Sequence, residues 1–267
     1  QEKNYSNPNT QVPPEGQQQA QQGGQQVSPE QEQQPLPVQS PDLAAGPPPV
    51  PKTKGTLTLA FGRFNPPHAG HGQLMDIAAQ SAEETEGDYI IVPSRSNDKK
   101  KNPLDVDTKV TTMRAMFPNH SEKIVNDAQN RTIFDVLKKA HNDGYTNVRI
   151  VAGDDRVKEF DKLSQNYNGQ LYEFEGLETV SSGAREDDSE GMEGYSASRM
   201  RLAAMEGDFK SFYANLHQEM QDEETGEVIL EPLMKRNQAK DYFVAVRQAM
   251  GAKDVKECWN IWEIAPK

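Results

Sequence analysis

The sequence predicts an α/β protein built on a Rossmann-like, doubly wound parallel sheet. Short runs of β-forming residues alternate along the chain with longer segments of helical periodicity. The spacing of these runs leaves room for a helix in most connections, which favours parallel strands joined by right-handed crossovers. In such sheets ligands bind beyond the carboxyl ends of the strands, so function is expected in the loops that follow the strands.

The first strand and the helix after it form the most informative unit of the chain. Thr56–Phe61 is a run of β-forming residues that ends at Gly62, and helical spacing is established by Gln73. Between them the chain bends through glycine and proline and carries His68 and His71. A strand that feeds a helix in this way brings backbone N–H groups and a helix N-terminus to one point, which suits a phosphate.

The remaining elements follow in alternation. The predicted strands are 88–93, 122–125, 147–152 and, with a weaker pattern, 175–180. The predicted helices are 107–117, 131–141, one that follows the segment 153–156 and runs to about 163, 196–206, 208–216, 236–250 and 254–264. Asp107 or Thr108 is expected to cap the helix at 107–117, and Asp154 or Asp155 the helix that runs to about 163. Segment 218–230 has the composition of an acidic loop or hairpin.

Composition divides the chain into a tail and a folded part. Residues 1–54 contain 13 glutamines and 11 of the 18 prolines, which predicts a disordered tail. Residues 55–216 are predicted to form the main domain, and residues 217–267 a small, mainly helical extension. The net charge is −12, and three basic and five acidic residues give the tail only −2 of it. The folded part is therefore acidic, which argues against a broad nucleic-acid surface.

Cysteine content and hydropathy indicate the class of compartment. The single cysteine, Cys258, excludes an intrachain disulfide framework and is compatible with a reducing environment. No apolar run approaches membrane-spanning length, and no signal-peptide pattern is present at the start of the sequence. We therefore expect no membrane partner and a cytoplasmic location.

His68 and His71 allow three interpretations: metal ligands, ordinary surface residues or phosphate donors. The metal interpretation lacks a third cysteine, histidine or carboxylate at a recognisable spacing. Phosphate is favoured, because imidazole N–H groups, helix N-terminal amides and Gly70 can all approach an anion closely. The other histidines, His120, His141 and His217, are expected to lie on the surface.

Two motifs carry a specific resemblance. Residues 62–71, GRFNPPHAGH, resemble the phosphate-binding HxGH motif of the nucleotidylyltransferase superfamily, often written GxFxPxHxGH. Residues 195–201, YSASRMR, resemble its second signature, ISSTxxR, with Ser196, Ser198 and Arg201 at the two hydroxyl positions and the arginine. Tyr195 and Ala197 depart from that pattern. Over residues 56–216 the chain is most similar to phage-encoded adenylyl- and cytidylyltransferase-like proteins, which would place it in a host cytoplasm or a virion.

The resemblance implies transfer of a nucleotidyl group from a nucleoside triphosphate to a phosphorylated small molecule, with release of pyrophosphate. ATP is favoured over CTP as the donor, and Mg²⁺ is expected to accompany it. The implied catalytic residues are His68, His71, Lys101, Ser198 and Arg201. The implied nucleotide-binding residues are Gly62, Arg63, Phe64, Gly70 and Ser196. The candidate substrate-binding residues are Asp154, Asp155, Arg156 and Arg114.

Several of these candidates have ordinary structural alternatives. The lysine run 99–101 is similar to a lysine-containing loop of adenylyltransferases, but a run of charges is also typical of a solvated surface. Arg114 either reaches phosphate or pairs with a carboxylate. Asp154 and Asp155 are candidates for a metal pair, a base-contacting site or a helix cap. Arg156 is a candidate for contact with the acceptor phosphate.

Two other functions remain open on the sequence. A catalytically silent nucleotide-binding or virion assembly module could use the same fold with the tail as its tether. A metal-dependent phosphohydrolase could use the histidine pair with Asp154 and Asp155. The acceptor is not encoded in any recognisable pattern, and a homo-oligomer or a protein partner bound through the tail is compatible with the sequence.

Overall fold

The computed structural model describes residues 46–183, 196–222 and 225–252, all within one compact unit, Asp42–Lys267. Its strands are β1 Lys54–Gly62, β2 Asp88–Pro93, β3 Tyr145–Ala152, β4 Gly176–Ser181, β5 His217–Gln221 and β6 Val228–Pro232. Its helices are α1 Gly70–Glu84, α2 Val106–Met116, α3 Ile133–Asn142, α4 Asp154–Tyr167, α5 Ala197–Glu206, α6 Phe209–Ala214 and α7 Arg236–Met250. A short 3₁₀ helix, Pro118–His120, follows α2.

The main sheet has four parallel strands in the order β2-β1-β3-β4. Leu59 at the centre of β1 lies opposite Ile90 of β2 and Ile150 of β3, and it is fully buried. Strand register brings the carboxyl ends of β1 and β2 level, with Gly62 opposite Pro93. The predicted α/β fold with a doubly wound parallel sheet is confirmed, and the loops that follow β1, β2 and β3 open at one edge.

Helices cover both faces of this sheet. Side chains alternate between the two faces along each strand, so the apolar residues of β1 face both layers of helices. Leu57 and Leu59 of β1 pack into a core cluster with α3 and α4. Ala60 belongs to the other cluster, which contains residues of α1, α2, α5, α6 and α7. Helix α7 contributes the buried side chains Tyr242 and Phe243 to that cluster, so it is part of the core that supports the sheet.

Segment 122–125, predicted as a strand, is not one. Only Ile124 forms an isolated parallel bridge, with Ile91, before the chain turns away. The sheet therefore has four strands, and the predicted strand at 147–152 is β3. The predicted hairpin is confirmed: β5 and β6 pair antiparallel, outside the main sheet.

The helix caps differ in part from the prediction. Asp105, rather than Asp107 or Thr108, caps α2, and its carboxylate accepts the N–H groups of residues 107 and 108 at 3.0 Å. Gly153, rather than an aspartate, is the N-cap of α4. The α7 boundaries agree with the predicted 236–250. The helix predicted at 254–264 lies outside the described residues.

Two histidines expected on the surface are buried. His141 is 2 % exposed; its Nε2 donates to Pro48 O at 3.0 Å, and its Nδ1 accepts the N–H of Glu173 at 3.2 Å. His120, 7 % exposed, bridges Tyr89 Oη and an Asp76 carboxylate oxygen. Both histidines connect separate segments of the chain, which accounts for their burial.

Most of the predicted tail, residues 1–45, lies outside the described residues. The part from residue 46 onward contacts the domain: Pro48 accepts from His141, and the N–H of Thr53 donates to Gly144 O at 3.0 Å. Gly144 has a φ of 85°, a conformation that favours glycine. No helix within residues 46–183, 196–222 or 225–252 has both the length and the apolar composition needed to cross a bilayer.

Candidate active site

The loop from β1 to α1 lies at the carboxyl edge of the sheet and is tightly packed. Phe64 adopts a positive φ of 47° and is 3 % exposed. A Cβ at Gly62 would lie 3.1 Å from the Phe64 ring, so the glycine allows this ring to fold back over the strand end. The same ring meets His71 edge-on at 5.0 Å between centroids. Two predicted nucleotide-binding residues therefore shape the loop around a predicted catalytic histidine.

His68 and His71 lie side by side, with ring centroids 3.7 Å apart. His68 is 7 % exposed, and its backbone N–H donates to Nδ1 of His71 at 3.1 Å. A nitrogen that accepts a hydrogen bond carries no proton, so a neutral His71 has its proton on Nε2. His71 is thereby prepared to donate a hydrogen bond through Nε2.

The N-terminus of α1 adds a positive electrostatic end to this site. Its N-cap residue, Ala69, provides no capping side chain, and the first turn of this described helix contains no acidic residue. The amides of His71 and Gly72 donate to His68 O at 3.0 Å and to Ala69 O at 2.8 Å. The positive end of the helix dipole therefore supplies most of what this helix start can offer an anion. Gly70 begins the helix beside the histidines, as the sequence pattern indicates.

Three side chains from different helices hold alternate carbonyl groups of the loop. Lys109 of α2 donates to Arg63 O at 2.9 Å, and Arg201 of α5 donates to Asn65 O at 2.8 Å. Tyr242 of α7 donates to Pro67 O at 3.0 Å. The loop conformation is thus fixed by three contacts that are distant in the sequence.

Asn65 adds a fourth connection. Its side-chain amide donates to Leu104 O at 2.9 Å and accepts the Leu104 N–H at 3.1 Å. This reciprocal pair ties the histidine loop to the loop that follows β2. Asn65 and Leu104 are both buried, at 2 % and 2 % exposed, so loss of either bond would leave a backbone group unsatisfied.

Lys109 is a site residue that sequence reasoning missed. It is fully buried, and besides Arg63 O it reaches Ser94 O at 2.6 Å, so it joins the loops after β1 and β2. Burial, with a smaller contribution from the Arg95 charge, lowers the pKa of Lys109 to about 8, and Asp105 opposes this shift. Its place on the apolar face of a predicted helix, in line with Met113, is the signal that could have identified it.

The second motif meets the first through Asn215. Ser196 is the buried N-cap of α5, and its hydroxyl accepts the Arg199 N–H at 3.4 Å. The Ser196 N–H donates to Oδ1 of Asn215 at 3.0 Å, and the Asn215 carbonyl accepts the Ala69 N–H at 3.0 Å. The N-termini of α1 and α5 are therefore held by one asparagine, which no sequence pattern indicated.

Ser198 and Arg201 lie together on the first turns of α5. Arg201 donates from Nη2 to the Ser198 hydroxyl at 2.9 Å while Nη1 donates to Asn65 O. Tyr195 lies outside the described residues. The structure thus brings Ser196, Ser198 and Arg201 to the loop that carries His68 and His71.

Other predicted residues lie at the same sheet edge and make contacts of their own. Lys101 belongs to an exposed turn, 98–102, in which the Asp98 carboxylate accepts the Lys101 N–H at 2.7 Å. Asp154 and Asp155 form the first turn of α4, and Asp154 accepts a hydrogen bond from Ser181. Arg156 pairs with Glu159 at 2.9 Å.

Arg114 makes a contact with the backbone that the sequence did not predict, and its predicted contact with phosphate stays a prediction. Its guanidinium donates to Ile124 O at 2.7 Å, where it supports the segment bridged to Ile91. Among the described residues, no group of three or more His, Cys, Asp or Glu side chains is arranged to hold a metal ion.

A family model for cytidylyltransferase-like proteins matches residues 59–203, more than half of the chain. The chain belongs to the cytidylyltransferase-like family. The matched range contains the histidine loop, Lys109, and the α5 residues Ser196, Ser198 and Arg201. It ends before Asn215 and Tyr242, so two residues of the site come from outside it. Membership of this family indicates nucleotidyl transfer in general terms.

Comparisons with individual proteins add little to this assignment. No curated protein matches the chain significantly. Among solved structures, a macrolide-efflux protein from Streptococcus pneumoniae is 14 % identical over 70 % of this chain and 67 % of its own, with a TM-score of 0.37. A TM-score this low supports no conclusion about this cytidylyltransferase-like chain.

Proposed function

We propose that this protein transfers a nucleotidyl group from a nucleoside triphosphate to a phosphorylated small molecule and releases pyrophosphate. One observation supports this proposal most directly. Asn215 and Arg201 hold the N-termini of α1 and α5 beside the histidine pair. ATP is the favoured donor and CTP the alternative, because the lysine loop 99–101 resembles that of adenylyltransferases. A phage origin and a cytoplasmic or virion location remain predictions from the same resemblance.

The proposed reaction is an in-line displacement at the α-phosphorus. A phosphate oxygen of the acceptor forms a new P–O bond there, the bond to the bridging α–β oxygen breaks, and pyrophosphate leaves with that electron pair. No covalent intermediate with the protein is needed, so the protein contributes positioning and charge stabilisation. His71 Nε2–H acts as a donor to a phosphate oxygen as negative charge builds, and the positive end of the α1 dipole stabilises the same charge.

The other predicted residues have supporting roles in this proposal. Ser198 and Arg201 act at the β- or γ-phosphate, and Lys101 approaches from the loop after β2. Asp154, Asp155 and Arg156 line the acceptor side of the sheet edge. Mg²⁺ is bound chiefly by phosphate oxygens and water, which agrees with a described site rich in N–H donors rather than carboxylates.

A pyrophosphate-release screen tests this function. The full chain is incubated with each nucleoside triphosphate and Mg²⁺ against a panel of sugar, alcohol and nucleoside phosphates. His71→Ala is expected to lower the rate by about 10²–10³-fold, as the loss of one transition-state donor does. The control is His217→Ala, which removes an imidazole that contacts Tyr213 O in the hairpin region, at 2.9 Å.

The outcomes separate the candidate functions. Pyrophosphate release that depends on His71 but not on His217 supports nucleotidyl transfer. Nucleotide binding by calorimetry with no release for any acceptor favours the silent binding module. A folded protein that binds no nucleoside triphosphate contradicts both. Release of inorganic phosphate without an acceptor, dependent on a transition metal, indicates the phosphohydrolase.

A further inference from the structure

Helix α7 reaches the site through a single buried hydroxyl. Tyr242 is 6 % exposed and donates to Pro67 O at 3.0 Å, across 175 positions of sequence. The helix lies beyond the family-matched range 59–203, so this contact is a property of this chain rather than of the shared motifs. Nothing in the sequence pattern of α7 indicates a role at the site.

The peptide group that Tyr242 contacts also holds His71. The carbonyl of the Pro67–His68 peptide accepts from Tyr242, and its N–H donates to Nδ1 of His71 at 3.1 Å. The only cis peptide among the described residues is Asn65–Pro66, so the Pro67–His68 peptide is trans. In a planar trans peptide the C=O and N–H point in opposite directions, so fixing one direction fixes the other.

We propose that Tyr242 is a positioning residue that sets the tautomer and orientation of His71 through the Pro67–His68 peptide. The Tyr242 hydroxyl fixes the direction of the Pro67 carbonyl, and the planar peptide then fixes the direction of the His68 N–H. That N–H keeps Nδ1 of His71 as an acceptor. The proton of neutral His71 then remains on Nε2. Hydrogen bonds in such a chain also polarise one another, so the first strengthens the second.

The surroundings keep Tyr242 in this role. Its ring packs against Phe212 at 5.4 Å between centroids, and Arg247, one turn further along α7, donates to Ala204 O of α5. Burial holds the pKa of Tyr242 well above its ordinary value, so the hydroxyl keeps its proton and stays a donor throughout the neutral range.

Tyr242→Phe removes only the hydroxyl, and Tyr172→Phe is its matched control. Tyr172 is also buried and also donates to a backbone carbonyl, Ser164 O at 2.8 Å, but that carbonyl belongs to the C-terminal half of α4. Both variants should lose comparable thermal stability. A change at His71 that is seen only in Tyr242→Phe therefore reflects the lost contact at the site and not a general loss of stability.

The direct readout is long-range ¹H–¹⁵N NMR of the histidine rings in the ligand-free protein, with the His71 signals assigned by a His71→Gln variant. The wild type is expected to show His71 as the Nε2–H tautomer. In Tyr242→Phe we expect a population of the Nδ1–H tautomer, because the N–H donor that opposed a proton on Nδ1 is no longer held in place. Tyr172→Phe should match the wild type.

The activity readout rests on the proposed function. With the best substrate pair, Tyr242→Phe is expected to lower kcat about tenfold and to change KM for the nucleotide less. An Nδ1–H tautomer in the wild type, or an unchanged tautomer in folded Tyr242→Phe, would overturn the proposal. A shifted tautomer in a protein with no transferase activity would leave the positioning role standing and contradict the proposed function alone.

Discussion

Replacement of Lys109 by methionine gives a quantitative test of the site's buried cation. In the folded protein the pKa of Lys109 is about 8, against 10.5 in a solvated lysine, chiefly because burial disfavours the charge. Between pH 8 and pH 10.5 the unfolded chain therefore holds a proton that the folded protein has released. The free energy of unfolding rises with pH wherever the unfolded state binds more protons. The contribution of Lys109 to that free energy is therefore fully present above pH 10.5. That contribution is lost as the pH falls through 8.

The expected magnitude follows from the two pKa values. At about 1.4 kcal/mol per pH unit, their separation corresponds to about 3 kcal/mol in the free energy of unfolding. At pH 7 the effect of Lys109→Met is small, because two opposing terms compete. The variant avoids the cost of burying a charge but leaves Arg63 O and Ser94 O without their donor.

Urea unfolding at several values from pH 7 to pH 10.5 measures the difference between wild type and variant. Other titrating groups are common to both proteins and cancel in that difference. The wild type should gain about 3 kcal/mol relative to Lys109→Met over this range. Lys139→Met, which removes a half-exposed lysine paired with Asp143 at 3.2 Å, should give a flat difference. A flat difference for Lys109→Met as well would refute the account of Lys109 as a buried cation.

Three further predictions concern the fold. Thr132→Ala removes the capping box at the start of α3 and should cost about 1 kcal/mol in urea unfolding; an unchanged midpoint would contradict the cap. Leu59→Ala empties a fully buried position in the central strand and should cost about 2–5 kcal/mol, and a loss under about 1 kcal/mol would show that the site collapses. A chain that ends at residue 216 loses Tyr242 and Phe243 from the core and should show no cooperative thermal transition by circular dichroism; a sharp transition would make residues 217–267 dispensable for folding.

Local patterns predicted the fold well because the buried strands and amphipathic helices here obey simple periodicity. The run at 147–152 lies within β3, and the apolar spacing of α7 gave its boundaries without error. The prediction for segment 122–125 failed because its two apolar residues, Ile124 and Val125, fit a single bridge as well as a strand, and the segment follows closely on a 3₁₀ helix. The predicted caps were wrong by one to three positions, since Asp105, Asp107 and Thr108 are all suitable capping residues in one turn.

The site was predictable where residues adjacent in sequence form it. The histidine loop and the start of α5 carry short motifs, and the structure brings them together. Asn215 and Tyr242 were not predicted, because each acts through one or two hydrogen bonds to residues that are distant in the sequence. An asparagine or a tyrosine in a helical segment also has many ordinary roles. Lys109 was missed as well, although its place on the apolar face of a helix is a usable signal, because a buried lysine has to find buried acceptors.

The side chains that donate to the carbonyls of the histidine loop explain how this backbone turn can bind an anion. A carbonyl oxygen carries partial negative charge and would repel a phosphate, so a phosphate loop needs its carbonyl groups engaged elsewhere. Side chains engage the carbonyls of Arg63, Asn65 and Pro67 in this loop. The first two accept from the cations Lys109 and Arg201, and the third accepts from the neutral hydroxyl of Tyr242. The cations offset carbonyl charge from positions that need not touch the ligand, because such fields extend several ångströms in a buried environment. Anion affinity at this loop should therefore depend on residues of α2, α5 and α7 as much as on the histidines themselves.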